Sequence, residues 1–128
     1  MNQKKRTTIT ANRERAPEVY ARLEALYPDI RCTLNYKSPF QILIITALAA
    51  QCTDARVNIV SVELFDRFPH PKNFLEVDVK VIEKIIHSCG FYRQKAKNIL
   101  KTCHSIMDKF GGEVPRTMEE LVQLAGVG

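Results

Sequence analysis

Leu124-Ala125-Gly126-Val127-Gly128 closes the 128-residue sequence, and its reading decides the fold. Two glycines flank a single residue just after an apolar helix end, a pattern that lets the backbone turn sharply. Such a turn joins two helices, so a second helix is the expected next element. The sequence stops at Gly128, and the expectation is therefore a piece of a larger protein, cut inside its hairpin. Glycine also lets backbone N–H groups come close to a ligand, and the N–H groups that open a helix attract phosphate. Glycines at helix ends equally serve as plain C-caps. On these residues alone both readings stand.

Upstream of the hairpin nearly every segment reads as helix, and no stretch alternates at period two. Thr117-Met118-Glu119-Glu120 has the form of a capping box and opens a helix through Leu121 and Leu124. Before it, Ala96, Ile99, Leu100, Cys103, Ile106, Met107 and Phe110 form one apolar stripe, with Lys95, Lys97, Lys101 and Lys109 expected to face away. Gly111-Gly112 ends that helix. Asp78 can cap a short helix carrying Val81, Ile82, Ile85 and Ile86, closed near Gly90. Ser38-Pro39-Phe40-Gln41 is a helix start with a cap, a first-turn proline and a box-completing Gln. The helix it opens, Ile42 to Ala50, is apolar almost all round and is expected to be central and buried. Thr53 or Asp54 caps the next helix, which runs to about Phe68, and Pro69 and Pro71 mark a turn. Pro17 can open a first helix that reaches about Tyr27, with Val19, Leu23, Leu26 and Tyr27 on one face.

The class is thus all-α, with six or seven helices around one core. The division expected is a basic tail without structure over residues 1–14, an N-terminal helix over 15–31 and a helical domain over 32–128. Charge supports the first boundary, since Lys4, Lys5, Arg6, Arg13 and Arg15 against Glu14 place +4 of the net +5 in the first fifteen residues. Such a run is either a solvated tail or an arm that attracts phosphate. No apolar run approaches the ~20 residues of a membrane span. No secretory signal is visible, so a cytoplasmic location is the default expectation. Cys32, Cys52, Cys89 and Cys103 lie too far apart for a zinc ribbon or a Cys-x-x-Cys motif and are expected to be reduced structural thiols. His70, His87 and His104 have no matched partner, and no Ser-His-Asp set, nucleotide loop or metal-ligand cluster is present.

Two further segments could carry chemistry. In Ala49-Ala50-Gln51-Cys52-Thr53-Asp54 a polar Gln ends an apolar helix. Its amide can offer donors and an acceptor to a base edge, or it can satisfy the helix-end carbonyls while Thr53 or Asp54 caps the next helix. In Gly90-Phe91-Tyr92-Arg93-Gln94-Lys95-Ala96-Lys97-Asn98 two aromatics precede a helix whose first turns hold three cations. Aromatics stack on bases or wedge between them, and cations meet phosphates. Alternatively Phe91 packs inward and the cations form a solvated face.

Taken in order, Ser38-Pro39-Phe40, Ala50-Gln51-Cys52-Thr53-Asp54, Gly90-Phe91-Tyr92-Arg93-Gln94-Lys95-Ala96, Gly112-Glu113-Val114-Pro115 and Leu124-Ala125-Gly126-Val127-Gly128 resemble the endonuclease III family of helix–hairpin–helix DNA glycosylases. The likeness runs from about Tyr27 to Gly128. It implies most of a six-helix barrel domain, with the N-terminal helix belonging to an iron–sulfur domain that is otherwise absent. It implies that Gln51 fills the gap left by an extruded base and that Phe91 is the wedge against the opposite strand. Gly126, Val127 and Gly128 would bind a phosphate through the backbone, often with a metal ion's help. Thr53, Asp54, Tyr92, Arg93 and Lys95 complete the expected DNA-binding set.

The family removes oxidised pyrimidines from DNA after flipping them out. A Lys just past the hairpin forms a Schiff base with the sugar, a later Asp assists, and β-elimination cuts the strand. Neither residue is among these 128, so no catalytic residue and no metal ligand is expected in this chain. The family's 4Fe-4S cluster is expected only in a full-length protein, with none held here. Ala125 stands where Pro is usual. The absence of an acid in Thr46-Ala47-Leu48-Ala49-Ala50 favours the pyrimidine-specific branch over the adenine-specific one. The implied partner is double-stranded DNA bearing a damaged base or abasic site, bound by a monomer, nucleoid-associated if bacterial. A noncatalytic helical DNA-binding module, or a helical scaffold for a protein partner, remains an alternative. The stripe of Val19, Leu23 and Leu26 is expected to form an exposed apolar patch.

Overall fold

The computed structural model describes residues 2–127, with side chains from Ile9 onward. Gly128, the last residue of the expected hairpin, lies outside the described residues. Among those described there are six α-helices and no strand. They are α1 (Asn2–Leu26), α2 (Pro39–Ala49), α3 (Asp54–Arg67), α4 (Val79–Ile85), α5 (Tyr92–Lys109) and α6 (Met118–Leu121), with a 3₁₀ turn over Pro71–Phe74 between α3 and α4. The chain divides into two compact units, Met1–Cys32 and Thr33–Gly128.

In the first unit α1 starts at Asn2, so the tail without structure expected over residues 1–14 is helical instead. Residues 2–16 contain no Gly or Pro to interrupt a helix. Pro17, expected to open the helix, lies inside it and can donate no N–H to the carbonyl four residues earlier. Val19, Leu23, Leu26 and Tyr27 are all exposed, as the apolar stripe predicts.

In the second unit the helix starts are set by side chains. Ser38 Oγ accepts from Gln41 N–H at 3.1 Å with Pro39 in the first turn. The Gln41 side chain reaches back to Lys37 N–H at 2.9 Å, one residue short of the expected box partner. Thr53, not Asp54, caps α3 through Arg56 N–H. Asp54 instead accepts from the Thr33 hydroxyl. Asn58 clamps the approach to α2, accepting from Asn35 N–H at 2.8 Å and donating to Thr33 O at 2.9 Å. Asp78 caps α4 and Thr117 caps α6. The helix expected through Leu124 is only one turn long and gives way to successive turns.

The core gathers Ile44, Ile45 and Leu48 of α2, Val57 and Leu64 of α3, Phe74, Ile82 and Ile86, and Ala96, Ile99, Cys103 and Ile106 of α5. Phe40, Phe65, Phe68 and Phe74 stack edge-on or tilted at one end, with centroids 5.2–6.2 Å apart. Helix α5 packs against the 3₁₀ turn, α4 and α2. The expectation that α2 is buried all round holds for one face only. Its other face, with Ile42, Leu43 and Ala47, lines an open apolar groove of about 500 Å³ shared with Val114, Pro115, Leu121, Gly126 and Val127. Among the described residues no helix is long and apolar enough to cross a membrane.

Candidate nucleic-acid interface

The end of α2 and the start of α5 meet, and their meeting builds the site. A Cβ placed on Gly90 would lie 2.8 Å from the backbone oxygen of Gln51, closer than real contacts allow. Only glycine lets the two segments approach this far. Gln51 and Phe91, one on each segment, both have φ near +55° (53° and 56°). For residues with a Cβ this left-handed backbone costs about 1–2 kcal/mol. Both side chains stand in solvent, Phe91 at 67% exposure. An exposed aromatic on strained backbone is the reverse of an inward-packed staple, so that alternative for Phe91 fails.

The alternative for Gln51 fails as well, because another side chain does the job. Lys95 Nζ donates to Leu48 O at 2.9 Å and also to Ala50 O. This corrects the expectation that Lys95 faces away, since it is 8% exposed. Its aliphatic stem lies along the helix contact while its ammonium sits at the negative end of the α2 dipole. The Leu48 and Ala50 carbonyls are thereby satisfied, and the Gln51 side chain is left exposed. Lys95 therefore belongs to the support of the site and drops out of the set expected to touch phosphate directly.

Of the remaining expected residues, Thr53 and Asp54 are exposed but engaged as described, and Arg93 is exposed. Tyr92 is half-buried between His87, with ring centroids 4.8 Å apart, and the Arg93 guanidinium, 5.4 Å from its ring. Lys97 and Lys101 lie exposed along α5. Near Gln51 and Phe91 in sequence the exposed charged residues are Arg56, Arg93 and Lys97, with Asp54 of opposite sign.

The hairpin is fastened to the same helix. Leu124 is buried, Val127 N–H returns to Leu124 O at 3.2 Å, and Gly126 has φ of 78°. A Cβ on Gly126 would lie 3.0 Å from Asn98 Nδ2. Thr102 Oγ1 donates to Ala125 O at 3.0 Å. Sequence reasoning missed Thr102, and it placed Gly90 and Asn98 in the Phe91 segment without giving either a part in building the site. The one available signal was Thr102 itself, a polar residue next to Cys103 on an otherwise apolar buried face.

Among the described residues no group of three or more His, Cys, Asp and Glu side chains could hold a metal ion. Cys103 is sealed in the core, where burial pushes its thiol up to about 12. Cys89 is pushed up to about 11, first by burial and then by the neighbouring Cys52 thiol.

Residues 44–125 match the profile of the HhH-GPD superfamily of base excision DNA repair proteins. The chain belongs to this superfamily. Endonuclease III of Synechocystis sp. is 47% identical over 119 residues, covering 93% of this chain and 54% of that protein. Endonuclease III of Bacillus subtilis is 45% identical over 103 residues, covering 80% of this chain and 47% of that protein. Among solved structures, a trapped covalent endonuclease III–DNA intermediate superposes with a TM-score of 0.85 at 41% identity, covering 90% of this chain and 54% of that one. A non-covalent endonuclease III–DNA complex gives 0.84. The chain thus spans about half the length of the curated relatives it matches.

Proposed function

We propose that this HhH-GPD chain supplies the strand-gripping half of a base-excision repair enzyme. That enzyme removes oxidised pyrimidines and then cleaves the abasic site by β-elimination. Gln51 enters the gap left by an extruded base and Phe91 props the opposite strand. Arg93 and Lys97 meet flanking phosphates, and the Gly126–Val127 backbone holds one more, with Gly128 completing the turn. The observation that carries this reading is the pairing of two exposed probing side chains on strained backbone, at segments held together by the Gly90 contact. Strain at exposed positions marks function more than stability. That two solved relatives are described as DNA complexes supports the same partner.

The chemistry needs an amine that attacks the sugar. No lysine follows Lys109 in these 128 residues, and Lys95 is committed to the α2 carbonyls. The reading therefore gives this chain a binding role and assigns neither the amine nor a cluster to any of its residues.

Binding tests the grip. Gln51→Ala and Phe91→Ala should each weaken binding to a gapped or abasic duplex by roughly 5- to 30-fold, as 1–2 kcal/mol of lost stacking or filling implies. Affinity for undamaged duplex should stay within twofold. Unchanged affinity for both duplexes would leave the protein-scaffold reading instead. In the companion assay, borohydride should trap no adduct between this chain and abasic DNA; a trapped adduct would show that the chain carries a nucleophile of its own.

A further inference from the structure

Behind the two probing side chains lies a feature that gripping DNA does not use. Gln51 is followed by Cys52 and Phe91 is preceded, across Gly90, by Cys89. The Gly90–Gln51 backbone contact brings the two segments together one residue from each cysteine, and the Cys52 thiol is near enough to perturb that of Cys89. Both lie in the packed interior at this junction, Cys89 buried and Cys52 half-buried with an open side to solvent. Cys103, by contrast, is raised by burial alone.

We propose that Cys52 and Cys89 form a reversible dithiol–disulfide pair, a covalent tie between the segment bearing Gln51 and the segment bearing Phe91. The oxidant is a low-molecular-weight disulfide. The more accessible Cys52, as thiolate, attacks one sulfur of that disulfide, forming a mixed disulfide and releasing one small thiolate, which takes up a proton. Cys89 then loses its proton and attacks the Cys52 sulfur. The mixed bond breaks, the Cys52–Cys89 bond forms, and the second small thiol leaves. Two protein thiols are oxidised, one small disulfide is reduced to two thiols, and no electrons are left over. The second step is the slow one, because a buried thiol gives up its proton reluctantly. Cys52, Lys95 and Arg56 are the groups that face Cys89 electrostatically; the two cations favour its thiolate, and burial and Cys52 oppose it.

The experiment needs no DNA, so its outcome is independent of the repair reading. Cys32 is exposed and would itself take up a glutathione, so it is replaced in every chain tested. The Cys32→Ser chain is incubated with oxidised glutathione, quenched with acid, unfolded, and its thiols counted. Its three thiols should fall to one, return to three with dithiothreitol, and yield a non-reduced peptide linking residues 52 and 89. Adding Cys89→Ala should instead stop at a stable single glutathione adduct on Cys52, and adding Cys52→Ser should keep both remaining thiols. Circular dichroism on all three variants checks that they fold. Three thiols remaining in the Cys32→Ser chain, a stable adduct that Cys89 never resolves, or a link through Cys103 would each overturn the proposal.

Discussion

Lys95 is the residue whose position does most for the site. Its ammonium neutralises the end of α2, and with those carbonyls satisfied the chain can turn through a left-handed Gln51 without leaving orphaned acceptors behind. Lys95→Met would keep the stem and delete the donors. The carbonyls of Leu48 and Ala50 would then lack their partner, at a cost of about 1–3 kcal/mol. The urea midpoint should fall accordingly, and Lys95→Arg should recover part of the loss. No fall in the midpoint would mean that water replaces the amine freely. In the sequence this lysine is one of four on α5 expected to face away, and spacing alone could not separate it from Lys97 or Lys101. Its burial depends on where the end of α2 lies, a tertiary fact that periodicity does not contain.

At the scale of elements, α5 was legible in the sequence as an amphipathic helix, and the caps at Ser38, Asp78 and Thr117 were legible as well. Local hydrogen-bonding chemistry sets them, so a single sequence suffices. Two expectations failed for opposite reasons. α1 extends through residues whose charge suggested a solvated tail, and α6 stops after one turn although its apolar spacing continued. In the second case Gly126 and the anchoring of Ala125 to Thr102 draw the backbone into a turn. Gln51 and Phe91 could be singled out, but not their proximity, which rests on the Gly90 contact. Gly126→Ala tests the hairpin. The nearest atom to its new Cβ belongs to the movable Asn98 amide, so the φ of 78° carries most of the cost. About 1–2 kcal/mol of strain should speed exchange of the Val127 amide roughly 5- to 30-fold. Adding Asn98→Ala should restore little. Full restoration would locate the cost in the clash instead.

For the whole molecule, the core is built on one well-packed helix, with two thiols held protonated inside it. Burial raises Cys103 from an ordinary 9.0 to about 12 and Cys89 to about 11. A thiol is charged only above its pKa, so the unfolded chain sheds these protons before the folded one does. The folded state then binds more protons than the unfolded state above pH 9, and stability must decline as pH rises. Stability from these two groups is intact below pH 9 and is lost as pH climbs through 9 toward 12. Urea midpoints measured across that range should show the decline, and Cys103→Ala should flatten it while lowering the starting value. A decline of equal slope in the variant would assign the effect to other groups. In the first unit α1 keeps Val19, Tyr20, Leu23 and Leu26 in water. A run of that kind marks a surface suited to contact with another apolar face.

Four features of the second unit are referred to a single axis. Phe91 stands at the threshold of α5, Lys95 steadies Gln51 from its first turn, Asn98 lies beneath Gly126, and Thr102 holds Ala125. From residue 91 to residue 102 such a helix advances roughly 16 Å at about 1.5 Å per residue. That is about five steps of a nucleic-acid strand at about 3.4 Å each. On the proposed reading, the pitch of α5 acts as a ruler for the distance between wedge and phosphate clasp. A one-residue insertion in its middle would move one end about 100° out of phase with the other.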